Sequence, residues 1–485
     1  MGGYICIISG VLKPFSLNPP LQISSVFTLT HLMPYLNSPN LDLFVYQLRK
    51  GLGDSEDDIQ RNHKKFWANL PAELQELAQV SYGKEKKADA EYLKLLQIAV
   101  KEKDEPPKKA TYKFSEVAGQ YLSEGYYYPV RMGEDTYGLL FDACIDLPYD
   151  SPSNFQTLKN LAADKQGNLG KTWLVSCWLS GIDKTDLAVL ADLAKQIYEK
   201  CEFGEWQQPK TGKFLGGDVF EIWRFPHNSK KVEDNLHVLI ILYPNRETFQ
   251  ALAGYYDDWM RLFCYRNKII WAYSQSRELK QRLESQYADI FKKAEGLKKQ
   301  NLKELQSSLQ KIIEALSNYV SDLNYLEIHL HTIKVNQRNY QEMLNYIIVE
   351  ANKNKDKYGE TQLNCFAEFN RTVKQKYQLQ IQEDHASLSP ALRVLEDLIS
   401  SIRGMVEAEQ AQSDRDLNYI IAIASFGLAL SGVTATIIST QLSSPKDPPE
   451  KSNPISQSDA FGWSIIPPIA IAAIIWGVRR FLRPR

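Results

Sequence analysis

The sequence predicts an α/β or α+β cytosolic domain, then a long antiparallel helical, coiled-coil stalk, then a two-helix transmembrane hairpin. Three patterns predict it. Strand-like and helix-like runs alternate over residues 115–244, apolar residues then step by three and four for about fifty positions, and two uncharged apolar stretches lie near the C-terminus.

Length and charge bound the remaining classes. A chain of 485 residues is long enough for two or three cores. Its 57 Lys+Arg against 58 Asp+Glu leave a formal net charge of −1, which excludes a generally basic surface, so no nucleic-acid partner is expected. The six cysteines (Cys6, Cys144, Cys177, Cys201, Cys264, Cys365) show no CxxC spacing, which points to buried free thiols and away from zinc or a disulfide framework. His329 and His331, two residues apart on a helix, point about 200° apart and cannot share a metal ion; they read as surface or seam residues. No cofactor, resident metal or catalytic residue is expected.

Residues 1–40 carry one charge, Lys13, and an apolar run without the basic flank of a secretory signal; they read as a disordered leader or an upstream extension. Residues 41–105 read as a helical N-terminal region: LDLFVYQLRKGLG and DDIQRNHKKFWANLPAELQEL as short amphipathic helices, the first ended by Gly51 and Gly53, then a charged helix over 84–103. The polar run KEKDEPPKKATYK, with two prolines, reads as a linker. In 115–244, GYYYPVRM and YGLLFDACIDL form a hairpin around GEDT. SNFQTLKNLAAD and TDLAVLADLAKQIYEKC are helices, and KTWLVSCWLSG, FLGGDVFEIWRF and NLHVLIILYP are further strands.

Residues 245–416 are the stalk. Leu302, Leu305, Leu309, Ile312, Leu316, Tyr319, Leu323, Leu326, Leu330 and Ile333 form an a/d seam that Tyr340, Leu344, Ile347 and Ala351 continue, with only Gln337 interrupting. The polar break NKNKDKYGET suggests that a partner helix follows in the same chain; the pattern is equally that of a seam between chains. Ser389 and Pro390 mark the start of a last helix.

Residues 419–438 and 461–478, uncharged runs of 20 and 18 residues, are read as transmembrane helices 1 and 2, joined by an external loop, 439–460. The basic tail 479–485, with Arg479, Arg480, Arg483 and Arg485, places both termini in the cytoplasm of a cell (inner) membrane protein. Ser425, Ala429, Gly432, Thr436 and Ser439 share one face of the first span. Such a strip either packs helices closely or lines a hydrated path, which makes Ser425, Gly432, Thr436 and Ser439 the candidate pore-lining residues.

This order of parts (α/β domain, helical stalk running into a first span, external loop, second span, basic tail) resembles the CorA-like family of divalent-cation channels from about residue 115 to the end. The family's Gly-Met-Asn signature at the outer end of the first span is absent; the corresponding stretch reads TATIISTQLSSPKD. The resemblance implies a homo-oligomer and a divalent cation as candidate partner, beside the lipid bilayer that the two spans would enter.

Other motifs carry less. Gly167–Thr172 (GNLGKT) ends like a phosphate-binding loop but lacks its first glycine and precedes a strand. Asp142, Asp146 and Asp150 are acidic residues at a strand end, where a hard cation or solvent would meet them. Gly216 and Gly217 permit close approach of a ligand, or simply a turn. The resulting expectation is a non-enzymatic, two-span protein with a sensory α/β domain, either a divergent CorA-like cation channel, transporter or membrane effector, or a membrane-anchored structural or signalling protein that binds partners without passing ions.

Overall fold

The computed structural model describes residues 35–86, 88, 90–99, 110–147, 151–180, 186–226, 229–296 and 302–409. The strands are β1 (Tyr35–Leu48), β2 (Tyr92–Lys94), β3 (Tyr112–Ala118), β4 (Tyr121–Met132), β5 (Thr136–Cys144), β6 (Gly170–Ser180), β7 (Lys210–Phe214), β8 (Gly217–Arg224) and β9 (Leu236–Tyr243). The helices are α1 (Glu56–Trp67), α2 (Gln75–Glu85), α3 (Leu95–Ala99), α4 (Ser153–Leu161), α5 (Leu187–Lys200), α6 (Arg246–Ala251), α7 (Tyr256–Gly296), α8 (Leu302–Asn352), α9 (Lys355–Tyr358), α10 (Ala367–Thr372), α11 (Gln378–Leu388) and α12 (Pro390–Glu409).

The chain divides into two units. Among the described residues, a sheet domain takes 35–50, 59–274 and 332–377, and a helical unit takes 51–58, 275–331 and 378–409. In the sheet domain the strand order is β2-β4-β5-β1-β6-β9-β8-β7, with β3 beside β4. Every pairing is antiparallel except β6 with β9. One face packs Leu43, Val45, Leu139, Phe141, Val175 and Ile240 against α1, α2, α4 and α5, which contribute Phe66, Ala78, Phe155, Leu158, Leu193 and Ile197. The other face meets α7: Phe44 packs edge-on against Phe263 at 5.0 Å, and the Tyr46 hydroxyl donates to the Met260 carbonyl at 2.9 Å.

Because both faces are covered, the middle strands are apolar on both sides. This corrects the reading of residues 41–53 as a helix: LDLFVYQL lies in β1, between β5 and β6. A short apolar run shows no period that separates a doubly buried strand from a helix. The strand begins at Tyr35, inside the stretch read as a leader. The charged run after Lys84 is likewise no single helix, since α2 ends at Glu85 and β2 and α3 follow. The expected hairpin of GYYYPVRM and YGLLFDAC is β4 and β5.

The β7–β8 turn shows why Gly216 and Gly217 stand where they do. Gly216 has φ +73°, and a Cβ there would lie 2.4 Å from the Tyr358 carbonyl oxygen. The close approach is by the chain itself: Gly216 N–H donates to the Glu360 carbonyl, and Lys213 and Gln362 exchange backbone bonds. Gly216→Ala is therefore expected to cost about 1–3 kcal/mol, read as a lower urea midpoint with unchanged slope.

The long helices are fastened by the same chain. In the helical unit Leu309, Ile312, Leu316, Tyr319, Leu323 and Leu326 are buried. Arg282 holds Asp322 by two bonds of 2.7 and 2.6 Å from α7 to α8, and the Tyr319 hydroxyl donates to the Leu388 carbonyl of α11. Arg277 and Lys280 of α7 both pair with Asp384 of α11, at 2.5 and 3.1 Å. In the sheet domain the same stripe of α8 buries Ile333, Tyr340, Ile347 and Ala351. Gln337, the one polar seam residue, donates to the Asn370 carbonyl. From Leu309 on, the buried positions of the seam are thus covered within a single chain. His329 is buried on it, its pKa pushed down to about 4 by burial, while His331 on the other side is exposed.

The expected fold class needs one further correction. Among the described residues no helix is long and apolar enough to cross a membrane, so the described fold is a sheet domain with long helices and contains no two-helix transmembrane hairpin. The segments 419–438 and 461–478, with the loop 439–460 and the tail 479–485, lie outside the described residues.

Candidate functional site

Polar side chains buried in the sheet domain collect in three places. The first is an acid pair. Asp42 on β1 stands directly opposite Asp142 on β5, and Asp142 opposite Tyr126 on β4, so antiparallel register puts all three on one face. A bulge between Asn37 and Asn40, with Ser38 at φ 48°, sets the register that leads into Asp42. Asn40 Nδ2 and the Tyr256 hydroxyl, at the start of α7, both donate to Asp42 Oδ2 at 3.0 Å. Asp42 is fully buried and Asp142 nearly so. Burial, then the charge of Asp142, pushes the Asp42 pKa well above its ordinary value; burial brings Asp142 up to about 7. The two carboxyls face each other across the strands, and burial together with the charge of Asp142 favours the protonated form of Asp42; Asp42 Oδ1 has no hydrogen-bond partner among the described residues.

The second cluster lies between β6, β8, β9 and α7. His237 accepts or donates at both ring nitrogens, to Thr172 Oγ1 at 3.1 Å and Glu221 Oε1 at 3.2 Å. Thr172 Oγ1 also accepts from Asn267 Nδ2 at 3.2 Å. One assignment satisfies the whole chain: Asn267 donates to Thr172, Thr172 donates to His237 Nδ1, and His237 Nε2–H donates to Glu221. Burial holds His237 well below its usual value, so the ring is neutral, and raises Glu221 to about 7. Arg266 of α7 sits nearby, its guanidinium carbon 3.9 Å from the Phe369 ring centre and 4.8 Å from that of Trp223. The Thr–His–Glu wiring is that of a nucleophile array, but Thr172 and His237 are wholly buried and Glu221 nearly so, which leaves the hydroxyl no substrate-facing side.

The third is ionic. Glu85, at the end of α2, is wholly buried. Its Oε1 accepts from the Tyr137 hydroxyl at 2.5 Å and lies 3.5 Å from both Arg49 Nε and His63 Nδ1. Arg131 donates to three carbonyls around the same turn, those of Glu85, Ala88 and Ala90.

Of the expected site residues, Ser425, Gly432, Thr436 and Ser439 lie outside the described residues, as does Asp150. Asp142 and Asp146 do not converge: Asp142 faces Asp42 in the core, whereas Asp146 accepts from Ser38 Oγ at an exposed position. The glycine run 167–172 fastens a loop to β1, with Leu169 N–H donating to the Tyr46 carbonyl and Asn168 Oδ1 accepting from Leu48 N–H. Cys144, Cys177, Cys201, Cys264 and Cys365 are buried, and none of them forms a disulfide among the described residues. Among the described residues no three His, Cys, Asp or Glu side chains are placed to share a metal ion. Sequence reading missed Asp42, Glu85, Glu221, His237 and Arg266. The one available signal was a lone charge inside an otherwise apolar strand, as in LDLFVY or HVLIIL.

The chain matches no known family model, and no curated protein matches it.

Proposed function

We propose that this protein is a non-enzymatic sensor and relay, in which the charge state of the sheet domain is passed along two continuous helices to the helical unit, where partners are engaged. The observation that supports it most is that α7 and α8 each contribute to both cores. Residues of α7 up to 274, among them Trp259, Met260, Phe263 and Ile270, are buried in the sheet domain, and the remainder of the helix belongs to the helical unit. The buried stripe of α8 runs through both in the same way. A helix packed at both ends transmits a shift as a rigid element, since close-packed interiors deform little. The buried clusters are suited to be its input: Tyr256 ties the acid pair to α7, and Arg266 and Asn267 tie the second cluster to it. Titratable groups displaced toward neutrality concentrate at functional sites. The relay requires no passage of ions.

A fluorophore on a Leu379→Cys variant, exposed on α11, tests the relay. Between pH 8 and pH 6 its emission is expected to change in the intact chain and to stay constant when two glycines are inserted after both Ser274 and His331. A response that survives the insertions would remove the helices from the account.

A further inference from the structure

The Tyr137 hydroxyl stands at the centre of the ionic cluster and has one proton to give. It donates to Glu85 Oε1 at 2.5 Å and accepts from Arg49 Nε at 3.2 Å, and His63 Nδ1 lies 2.9 Å away. With that proton committed to Glu85, the oxygen can only accept from Nδ1. The other ring nitrogen, Nε2, is 2.9 Å from the Ala78 carbonyl, which also only accepts. Both ring nitrogens therefore face acceptors, and each has to carry a hydrogen. Turning the Tyr137 proton to Nδ1 instead would set Glu85 Oε1 against the hydroxyl oxygen with no hydrogen between them. A proton on Glu85 would mend that contact but would take from buried Arg49 the carboxylate 3.5 Å from its Nε.

We propose that His63 is held as an imidazolium and acts as a proton-gated latch joining α1, α2 and β5. The ring is buried, with the Glu85 carboxylate 3.5 Å from Nδ1 to answer its charge. The titratable and charged groups around it are Glu85 and Tyr82 of α2, Tyr137 of β5, Arg49 just after β1, and Arg131 of β4. Beyond these, Lys86 lies over the Tyr82 ring, and Glu134 gives its carbonyl to Arg49. When the Nδ1 proton leaves, one hydroxyl hydrogen is left between two acceptors, so either Glu85 or His63 loses its bond. The hold on the end of α2 then weakens. None of these residues lies on α7 or α8, so the latch goes beyond the relay.

Imidazole nitrogen shifts of the full chain, labelled at histidine, read the ring directly. At pH 7.5 an ordinary histidine carries one ring proton. One histidine of the wild type is expected to show two protonated nitrogens at that pH, and its signals to vanish in His63→Gln. Urea unfolding gives a second reading. A ring that binds its second proton more tightly when folded lends stability at low pH and loses it as pH rises. The folding constant of the wild type relative to His63→Gln is therefore expected to fall about tenfold per pH unit above about pH 6.5, until the folded ring titrates. A wild-type spectrum at pH 7.5 without a doubly protonated histidine would overturn the proposal with no variant needed. A ratio that stays constant or rises with pH would overturn it as well. Neither reading depends on the emission of the labelled Leu379→Cys chain, which tests the relay separately.

Discussion

Glu85→Ala lowers the stability of the sheet domain by about 3–5 kcal/mol, the loss that follows when one partner of a buried ion pair is deleted. The carboxylate accepts from Tyr137 and faces both Arg49 and His63, all buried. Its removal leaves the Arg49 guanidinium with the Tyr137 oxygen at 3.2 Å and the Glu134 carbonyl at 2.7 Å, and with no other ion-pair partner among the described residues. It also leaves a void at the end of α2, against the strand that carries Tyr137. Glu85→Gln keeps the volume and the acceptor but loses the charge, and should cost about half as much. Urea unfolding followed by tryptophan fluorescence measures both, because Trp67 and Trp173 lie in this core. A loss under 1 kcal/mol in Glu85→Ala would mean that the cluster is solvated.

The second large effect is on pH dependence. An acid whose pKa is higher folded than unfolded binds more protons when folded, so stability falls as pH rises between the two values. Asp142, with an ordinary value of 3.8 and a folded value of about 7, loses roughly 4 kcal/mol of stability over that window. Glu221, raised from 4.5 to about 7, adds a fall of the same sign. Asp142→Asn removes the first contribution, because the second carboxylate charge never forms. The variant is expected to match the wild type near pH 4 and to exceed it clearly at pH 8, with the residual slope belonging to Glu221 and to Asp42, whose burial still raises it. Equal slopes in the two proteins would place Asp142 in contact with solvent.

Much of the architecture could be read from residues with a clear period or clear turn chemistry. The β4–β5 hairpin was legible because its strands flank a tight Gly-containing turn. The α8 stripe was legible because fourteen apolar positions keep one frame, and the break after Asn352 was marked by charge and Gly359, which has φ +99°. What escaped was long-range. β1 is a strand because β5 and β6 flank it and helices cover both its faces, and none of those neighbours is visible in LDLFVYQL. The candidate sites escaped for the same reason. Asp42 and Asp142 are 100 positions apart and meet only through strand register. Glu221 and His237 meet across β8 and β9, and Arg266 reaches them from a helix whose sequence shows only an amphipathic face. The start marked by Ser389 and Pro390 is where α12 begins, with the Ser389 hydroxyl bonding back to the His385 carbonyl of α11.

Amide hydrogen exchange of the full chain at pH 8, wild type beside Asp142→Asn, tests the relay most directly, because the substitution lies in the sheet domain alone. The account predicts changed protection within the sheet domain and also in residues 275–296, 302–331 and 378–409, with the altered signal carried by α7 and α8. A change confined to the strands and helices around Asp142, with the helical unit exchanging as in the wild type, would contradict it.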